Sequence, residues 1–525
     1  MSQAPRTSQG LPESADVVVI GAGHNGLVCA AYLAAAGLSV VVLEARDIPG
    51  GNTVTEELTL PGFAHDSCSS AHVLIQSNPL IRDDELGLIG TYGLDYILTD
   101  PAVVMPQGDG EGLIMHRDLD ATVAEIARWS RRDADTFRAM HQEWSGGLAT
   151  MHGRWSSALP LGDSDSAKRY LSRREQSAWD VVHETYENDV VRSFVLWMAM
   201  ATIQDPRRPG TGFLPQSLAA GRLSFGWATP RGGSIALPQA LIRQLEDHGG
   251  QAVMSAPVSQ IEVEGGRARA VRTTDGRRIE ARHGIVSSAH LAQLAGMITG
   301  AGVPAELTDA QDRWQPGISV FAVHAALKAD LRFHTHHGPM PSAAGGFGSA
   351  TGMARQLDAF YRGEVDPTDP WLLVVNQTAV DHGRAPDGQA TFKILTIAPY
   401  DLADGRDWAE AKEDYGEALL ARVRAGAAGL DESDILAVRY ESPHDVAAHN
   451  LHNLGGSCHG GEFRIDDGGV IPGWPSYATP SLDGLYLTGA TTHPGGSVSG
   501  RPGRNAARFV LTQLGLDPSK VMGEN

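Results

Sequence analysis

Apolar runs separated by short glycine-containing turns open the chain and predict buried strands alternating with a helix. Residues 17–20 (VVVI) and 40–43 (VVVL) are continuous apolar runs of strand length, which is typical of parallel strands buried on both faces. Between them, residues 27–36 have the composition of a helix, and Gly37 is placed to end it. The first fifty residues therefore predict a strand, a helix and a second parallel strand.

Beyond residue 80 the pattern alternates between regions of different character. Residues 80–220 are mainly helical, residues 227–288 return to a helix followed by short strands, and residues 300–445 combine strand-like runs with a long helix. A last strand and helix follow residue 485. The predicted helices are 119–129, 131–144, 189–201, 235–245, 410–425 and one from about Pro502; the predicted strands are 252–254, 258–263, 268–273, 279–281, 285–288, 320–327, 371–376, 390–397 and 486–488.

The turn after the first strand carries Gly21, Gly23 and Gly26 in the spacing G-x-G-x-x-G. Gly21 permits a tight turn, Gly23 removes the side chain that would keep the backbone from a pyrophosphate, and Gly26 lets helix and strand pack closely. The phosphates would bind the free N–H groups and the positive dipole end of the helix. A glycine triad alone is weak evidence. A unit in which the triad lies between a strand and a helix, with a second strand after the helix, predicts a dinucleotide-binding site.

The residues after the second strand indicate which dinucleotide is bound. Glu44 ends that strand and is placed to accept hydrogen bonds from both ribose hydroxyls, which disfavours a ligand with a 2′-phosphate. The pair Gly50-Gly51 follows, and it lets the chain pass close to a diphosphate and an extended ribityl chain. This pattern favours FAD over NAD. It resembles the flavoprotein superfamily of amine oxidases, carotenoid desaturases and GDP-dissociation inhibitors, although many members have Arg where Asn52 stands here.

The C-terminal region carries a second and more specific motif. Residues 485–507, LYLTGATTHPGGSVSGRPGRNAA, resemble the C-terminal signature of phytoene-dehydrogenase-like flavoproteins, the group related to carotenoid desaturases and isomerases. Upstream, Gly455-Gly456, His459-Gly460 and Pro472-Gly473-Trp474 resemble a bacterial and mitochondrial branch of that group. The N-terminus of the helix near Pro502 would offer N–H groups and a positive dipole to a reduced flavin ring near N1.

The resemblance implies an α/β protein with a Rossmann-like FAD-binding domain of the glutathione-reductase type, a two-dinucleotide-binding-domain flavoprotein, and an inserted α+β substrate domain. We expect residues 15–80, 221–300 and 446–525 to form the FAD-binding domain, residues 81–220 and 301–445 the substrate domain, and residues 1–14 a disordered tail. FAD would be bound noncovalently with the isoalloxazine between the two domains. The resemblance to these flavoproteins alone implies that the backbone of Val258 contacts the adenine. The expected cofactor-binding residues are Gly21, Gly23, His24, Asn25, Gly26, Glu44, Ala45, Arg46, Gly50, Gly51, Asn52, Thr53, Val258, Gly489, Ala490, Gly496, Ser497 and Val498.

Composition and charge narrow the class of partner. The 525 residues carry a formal net charge of −20, which argues against nucleic acid and disfavours simple electrostatic attachment to anionic lipid. Three cysteines far apart in sequence indicate neither a disulfide framework nor a zinc knuckle, so we expect a reducing, cytoplasmic compartment. Residues 194–203 (FVLWMAMATI) are too few to span a bilayer and predict a buried helix. Peripheral membrane contact stays open, because a lipid-like substrate is collected from a membrane in related proteins.

Histidines are the candidates for polar chemistry. His493 lies in THPGG beside the expected flavin edge and is the first candidate for a catalytic role, with an ordering role for that loop as the alternative; His459 is the second. His65 and His72 are expected to be structural. The run His334-Thr335-His336-His337 lacks nearby Cys, Asp or Glu at ligand spacing, so we assign no metal.

The resemblance implies an FAD-dependent oxidoreductase that desaturates a hydrophobic substrate, isoprenoid, aromatic or lipid-like, by hydride transfer to flavin N5. An amine or alcohol oxidase using O₂ is an alternative on the same fold, as is an isomerase or saturase that uses reduced flavin. A non-redox binding protein of the GDP-dissociation-inhibitor type is the third class, which the intact glycines and Glu44 disfavour. The electron acceptor and the oligomeric state are not determined by the sequence.

Overall fold

The computed structural model describes residues 10–300, 302–462 and 477–523, and it shows an α/β fold with two large mixed sheets. The strands are β1 (Ser14–Ile20), β2 (Val40–Leu43), β3 (Thr55–Glu56), β4 (His65–Asp66), β5 (Tyr96–Ile97), β6 (Val103–Pro106), β7 (Gly112–Met115), β8 (Thr229–Pro230), β9 (Gln251–Val253), β10 (Val258–Glu264), β11 (Arg267–Thr273), β12 (Arg278–Ser287), β13 (Ile298–Thr299), β14 (Val320–Leu327), β15 (Arg332–Phe333), β16 (Ala344–Phe347), β17 (Leu372–Val375), β18 (Ala390–Ile397), β19 (Ala427–Ala428), β20 (Ile435–Glu441) and β21 (Leu485–Leu487).

Helices cover both sheets. They are α1 (His24–Ala35), α2 (Pro79–Arg82), α3 (Leu119–Ala127), α4 (Arg131–Glu143), α5 (Ala149–Ser156), α6 (Asp165–Glu175), α7 (Ala178–Thr185), α8 (Asp189–Met200), α9 (Leu214–Phe225), α10 (Ala236–Asp247), α11 (Leu291–Met297), α12 (Ala305–Arg313), α13 (Ala350–Tyr361), α14 (Trp408–Arg424), α15 (Pro443–His449) and α16 (Arg501–Gln513).

The first sheet has eight strands in the order β13-β10-β11-β12-β1-β2-β9, and β21 pairs with β12. Strands β9, β2, β1, β12 and β21 run parallel, while β10, β11 and β12 form antiparallel pairs. Because strand side chains alternate, Val17 and Val19 pack in the core with α1, α10 and α16, whereas Val18 and Ile20 pack on the opposite face. The apolar run is therefore buried on both sides, as predicted.

The second sheet has seven strands in the order β20-β14-β18-β17-β16-β6-β7 and is antiparallel except between β16 and β6. Phe392 and Ile394 of β18 pack on the side covered by α14, and Leu395 and Ile397 pack on the side of α8. Trp197 of α8 ties helix to sheet, since its Nε1 donates to the Leu372 carbonyl at 2.8 Å. This alternation decides which β18 side chains can reach a site on the α8 side.

Three sequence predictions differ from the structure. Strands 279–281 and 285–288 are one strand, β12, because its backbone pairs with β1 from Glu280 through to Ser287. Strand β1 begins at Ser14, which pairs with Glu280, so the expected tail ends earlier; residues 1–9 lie outside the described residues. Helix ends otherwise shift by one to three residues, as is usual at frayed ends.

The apolar stretch 194–203 is buried except at the partly exposed Ala201, and residues Phe194 to Met200 lie in α8 at no more than 1% exposure. Within the described residues, no helix has both the length and the apolar composition that crossing a bilayer requires. The motif Pro472-Gly473-Trp474 lies outside the described residues.

Candidate active site

One cavity of about 340 Å³ is lined by residues of both large sheets. Every residue predicted from the sequence to bind the cofactor lines it, from Gly21 to Val498, together with His459. His493 does not line it. Segments separated by more than 400 residues in sequence therefore meet at one site.

The glycine loop between β1 and α1 shows three different constraints. Gly21 has a φ of +93°, and a Cβ there would lie 2.3 Å from Ser288 Oγ. A Cβ on Gly26 would lie 2.3 Å from the Gly21 carbonyl oxygen, so this glycine permits the close packing of helix and turn. Gly23 has an ordinary φ of −62°, and a Cβ would meet nothing within 4 Å. The missing side chain at Gly23 thus leaves free space in front of the helix N-terminus.

The second glycine pair closes against this loop. Gly50 and Gly51 have φ values of +118° and +62°, and the Gly50 N–H donates to the Ala22 carbonyl at 2.8 Å. A Cβ on Gly51 would lie 3.3 Å from Gly23 Cα. Backbone rather than side chain therefore forms this part of the wall, as close approach of a diphosphate requires.

Glu44 is fixed at the end of β2 by backbone donors. Its Oε2 accepts from the Ala22 N–H at 2.7 Å and its Oε1 from the Arg46 N–H at 3.0 Å. Burial raises the pKa of this carboxyl group. A carboxylate has about four acceptor positions, so two remain for hydroxyl groups of a ligand.

An amide network joins the second glycine pair to the C-terminal region. The Asn52 Nδ2 group donates to Asn453 Oδ1 at 2.7 Å and to the Cys458 carbonyl at 3.1 Å, and Asn52 Oδ1 accepts from Asn450 at 2.8 Å. Next to it, Thr53 Oγ1 lies 3.0 Å from His24 Nδ1. Asn52 thus performs a positioning role between two segments of the wall.

The C-terminal glycines also allow close packing. A Cβ on Gly496 would lie 2.3 Å from the His459 carbonyl oxygen, and Gly489 has a φ of +103°. Ser497 Oγ lies 3.3 Å from His459 Nδ1. Helix α16 begins just beyond, but its first residue, Arg501, points to Ser157 Oγ at 2.7 Å and does not line the cavity. Residues 496–498, rather than the helix end itself, form the wall here.

Buried polar atoms without partners test whether a dinucleotide fits. Asn25 and His290 line the cavity, and Asn25 Oδ1 and His290 Nε2 are buried without a hydrogen-bond partner among the described residues. Together with the free space at Gly23, these atoms give the cavity a polar surface that can bind a ligand. The residues present therefore fit an adenine dinucleotide flavin.

A second part of the lining is mainly apolar and was not predicted from the sequence. Strands β17 and β18 contribute two cross-strand pairs, Leu373 with Leu395 and Val375 with Lys393. Helix α9 contributes Leu218 and Arg222, which are one helical turn apart. The available signal was a single charged residue in an otherwise apolar segment, ATFKILTI for Lys393 and LAAGRLSF for Arg222.

Two cysteines meet at the same wall although 390 positions separate them in sequence. Cys68 and Cys458 both line the cavity, and all three cysteines are free thiols. A hydrogen bond from Cys458 lowers the pKa of Cys68 to about 7, while the pKa of Cys458 is raised. Beside them, Lys393 Nζ donates to the carbonyls of residues 66, 67 and 68, the last at 2.6 Å.

The two candidate catalytic histidines lie in different surroundings. Burial lowers the pKa of His459 to about 4, so the imidazole on the wall is neutral at pH 7. His493 Nε2 donates to the Trp155 carbonyl at 2.6 Å, and the two rings pack edge to face at 4.5 Å. This geometry favours the alternative we gave for His493, an ordering role, because its Nε2 binds a backbone carbonyl and neither His493 nor Trp155 lines the cavity.

Of the other histidines considered in the sequence analysis, His65 and His72 make structural hydrogen bonds, and two of the His334–His337 run lie near an acidic residue. His72 bonds to Tyr96 and Ser234, each at 3.1 Å, and His65 to Thr59 at 2.7 Å. The expectation that no acid lies near the His334–His337 run is wrong, because Glu125 of α3 is within 4.8 Å of His336 and His337. Arg128 lies 2.7 Å from His336 Nδ1, and a fixed cation there disfavours a metal ion. The absence of a metal stays a prediction.

The parallel strands, the glycine loop at α1 and the carboxylate at the end of β2 define a dinucleotide-binding α/β protein. Over residues 26–511 the sequence matches the family described as flavin containing amine oxidoreductase. The chain belongs to this family and is an FAD-dependent oxidoreductase. The prediction of FAD is confirmed at the level of the family.

Curated relatives cover nearly the whole chain. A limonene dehydrogenase subunit of Castellaniella defragrans is 28% identical, over 96% of this chain and 95% of its own. Pyridine nucleotide-disulfide oxidoreductase domain-containing protein 2 of Mus musculus is 27% identical, over 95% and 94%. A lycopene-forming phytoene desaturase of Pantoea ananas is 24% identical, over 92% and 96%, which confirms the resemblance seen in the sequence.

Solved structures share the fold. A triple mutant of putrescine oxidase superposes with a TM-score of 0.63 at 18% identity and covers 96% of this chain and 99% of its own. An oxidoreductase from Methanosarcina mazei gives 0.57 at 16% identity, over 95% and 99%.

Proposed function

We propose that this FAD-dependent oxidoreductase is a dehydrogenase that introduces a double bond into a largely apolar substrate. The observation that carries the proposal is the apolar part of the cavity wall, formed by β17, β18 and α9 and continuous with the predicted dinucleotide site. Leu373, Val375, Leu395 and Leu218 provide this surface. An apolar wall excludes water from the reacting C–H bond and holds an unreactive chain by burial alone.

The cofactor would be held by the wall residues predicted from the sequence. Backbone at Gly21, Gly23 and Gly50 would approach the pyrophosphate, and Glu44 would accept from the ribose hydroxyls. We further propose that the first sheet is the FAD-binding domain of a glutathione-reductase-type flavoprotein. The second sheet and the helices of residues 81–220 would then form the inserted substrate domain.

The bound cofactor would supply the hydride acceptor, the isoalloxazine N5. The chain's own residues orient the substrate and receive its proton. Cys68 Sγ is our candidate proton acceptor, because it lines the cavity and its pKa of about 7 is matched to neutral pH. Burial lowers the pKa of Lys393, but its Nζ donates to three carbonyl groups beside Cys68. These bonds use all three N–H donors of the charged amine, which keeps positive charge near the thiolate.

The names of two curated relatives support this assignment. Two of them are named for limonene and phytoene, which are hydrocarbons. The family description favours a second candidate, oxidation of an amine. A saturase or isomerase would use the same wall with reduced flavin. The apolar wall favours the first candidate, since Lys393 and Arg222 would repel an ammonium group.

Anaerobic mixing of the FAD-loaded protein with candidate substrates tests the proposal. We expect limonene or a longer isoprenoid to bleach the flavin absorbance, while a primary amine of similar size does not. Bleaching by the amine alone would assign the chain to amine oxidation. Slower bleaching by isoprenoid after Leu373→Asp and Leu395→Asp, with unchanged FAD content, would localise the substrate to this wall.

A further inference from the structure

Arg222 is a buried cation on the cavity wall without a counter-charge. Its side chain is 3% exposed, and it projects from α9 into the same wall as Leu218. Within residues 10–300, 302–462 and 477–523 it makes no side-chain hydrogen bond and no ion pair, and its Nε and Nη1 atoms are fully enclosed without a partner. Burial lowers the pKa of Arg222 to about 10, so the guanidinium stays charged at neutral pH.

Aromatic rings hold the guanidinium in place without neutralising it. Its central carbon lies 4.7 Å from the ring centroid of Trp227 and 5.8 Å from that of Trp197. Cation–π attraction returns only part of the cost of removing a guanidinium from water. Natural proteins rarely bury an arginine without an acid or a ligand to pair with it. The unpaired donors therefore indicate a ligand.

The charge distribution along the wall indicates the sign of that ligand. Of the described residues that line the cavity, Glu44 alone carries a carboxylate, and Arg46 follows it closely in the chain at the predicted ribose site. Arg222 and Lys393 are the further cations of the wall. This is a positively charged cavity in a protein whose net charge is −20. The negative net charge of the protein would repel an anion, so only the cations inside the cavity can attract one.

We propose that Arg222 binds a carboxylate group carried by the otherwise apolar substrate. The planar guanidinium presents two parallel N–H donors, which match the two oxygens of a carboxylate. The apolar surface of β17 and β18 would hold the hydrocarbon part, so the preferred substrate class is an amphipathic acid, and a hydrocarbon such as limonene would bind the same wall more weakly. This inference rests on the proposed function, because it places the substrate at that wall.

Three eight-carbon probes that differ only in the head group test the inference. The FAD-loaded protein is titrated with octanoate, octanol and octylamine, and binding is measured by calorimetry and by the flavin visible spectrum. We expect octanoate to bind at least about 30-fold more tightly than octanol, as loss of one partner of a buried charge pair predicts. Octylamine should bind least.

Variants assign the preference to Arg222. Arg222→Met keeps the length without the charge and should remove the preference for octanoate; Arg222→Lys should retain part of it. Arg231→Met is the matched control, because Arg231 is exposed, pairs with Asp95 at 2.7 Å and does not line the cavity. FAD content should be equal in all four proteins. Arg222→Met should not lower the thermal stability of the ligand-free protein, since a buried charge is removed.

Each contrary result has a separate meaning. Equal binding of octanoate and octanol to the unaltered protein, or octanoate affinity in Arg222→Met within about threefold of the unaltered protein, would overturn the carboxylate inference and leave the proposed function standing. Loss of FAD in Arg222→Met would overturn it too and would assign the guanidinium to the cofactor. Failure of all three probes to bind would contradict the apolar substrate wall and with it the proposed function.

Discussion

The open space at Gly23 allows a substitution that separates cofactor binding from folding. Gly23 has a φ of −62°, which alanine adopts without strain, and an added Cβ would contact no protein atom within 4 Å. We therefore expect Gly23→Ala to leave the FAD-free protein as stable as before. The methyl group would instead occupy the space needed for the backbone to approach the pyrophosphate.

The magnitude follows from the contacts that the methyl group would displace. One lost charge-assisted hydrogen bond costs about 1.5–3 kcal/mol. Since about 1.4 kcal/mol is a factor of ten, FAD affinity should fall about 10- to 100-fold. Gly26→Ala is the contrasting variant, because its Cβ would lie 2.3 Å from the Gly21 carbonyl and the turn must shift. Gly26→Ala should lower the free energy of unfolding by about 1–3 kcal/mol in addition to weakening FAD binding.

Fluorescence titration of FAD-free protein with FAD, combined with thermal unfolding of that protein, measures both quantities. Gly153→Ala in α5 is the control, because its Cβ also meets nothing within 4 Å and it lies outside the cavity wall. It should leave FAD affinity unchanged and raise stability by about 0.5–1 kcal/mol. FAD binding to Gly23→Ala within about twofold of the unaltered protein would refute the reasoning.

Three further predictions follow from the site. His493→Ala should lose about 1–3 kcal/mol of stability with the bond to Trp155, yet keep its rate of flavin reduction at full FAD occupancy; a tenfold slower rate would restore the catalytic role. The rate of Cys68 alkylation by iodoacetamide should rise with pH around a midpoint near 7, while Cys29, whose pKa is raised by burial, stays unreactive. Cys68→Ser is the control. A midpoint above about 8 would contradict the hydrogen bond from Cys458. Burial lowers the pKa of His72 and His152 to about 3 and that of His459 to about 4. As pH falls, these histidines therefore bind protons in the unfolded chain before they do so in the folded protein. Their contribution to the free energy of unfolding should be fully present above about pH 6.5 and decline below it. Unfolding temperatures that stay constant between pH 6.5 and 5, above the carboxylate range, would contradict this.

Local sequence was sufficient for the dinucleotide end of the site. Gly21, Gly23, Gly26 and Glu44 fall within 24 consecutive residues, and a strand–turn–helix–strand unit fixes their relative positions from backbone geometry. The continuous apolar run at 17–20 was correctly interpreted for the same reason. Each residue there acts through the conformation of its own segment.

The substrate end could not be predicted because it depends on register and long-range packing. Whether Lys393 faces α8 or α14 depends on the alternation of β18, and a shift of one residue would reverse it. Cys68 meets Cys458, and Glu125 meets His336, only once the sheets have assembled. His493 was judged from its neighbours in sequence, but Trp155, far away in the chain, determines where its ring points.

The central claim is that the chain is an FAD-dependent dehydrogenase, and the visible spectrum of the purified protein through one redox cycle tests it most directly. We predict one FAD per chain, bleaching on anaerobic reduction, and slow return of the oxidised spectrum when air is readmitted. Return of the oxidised spectrum within the time of one catalytic turnover would show that the protein is an oxidase. A colourless protein that does not take up added FAD would contradict the account.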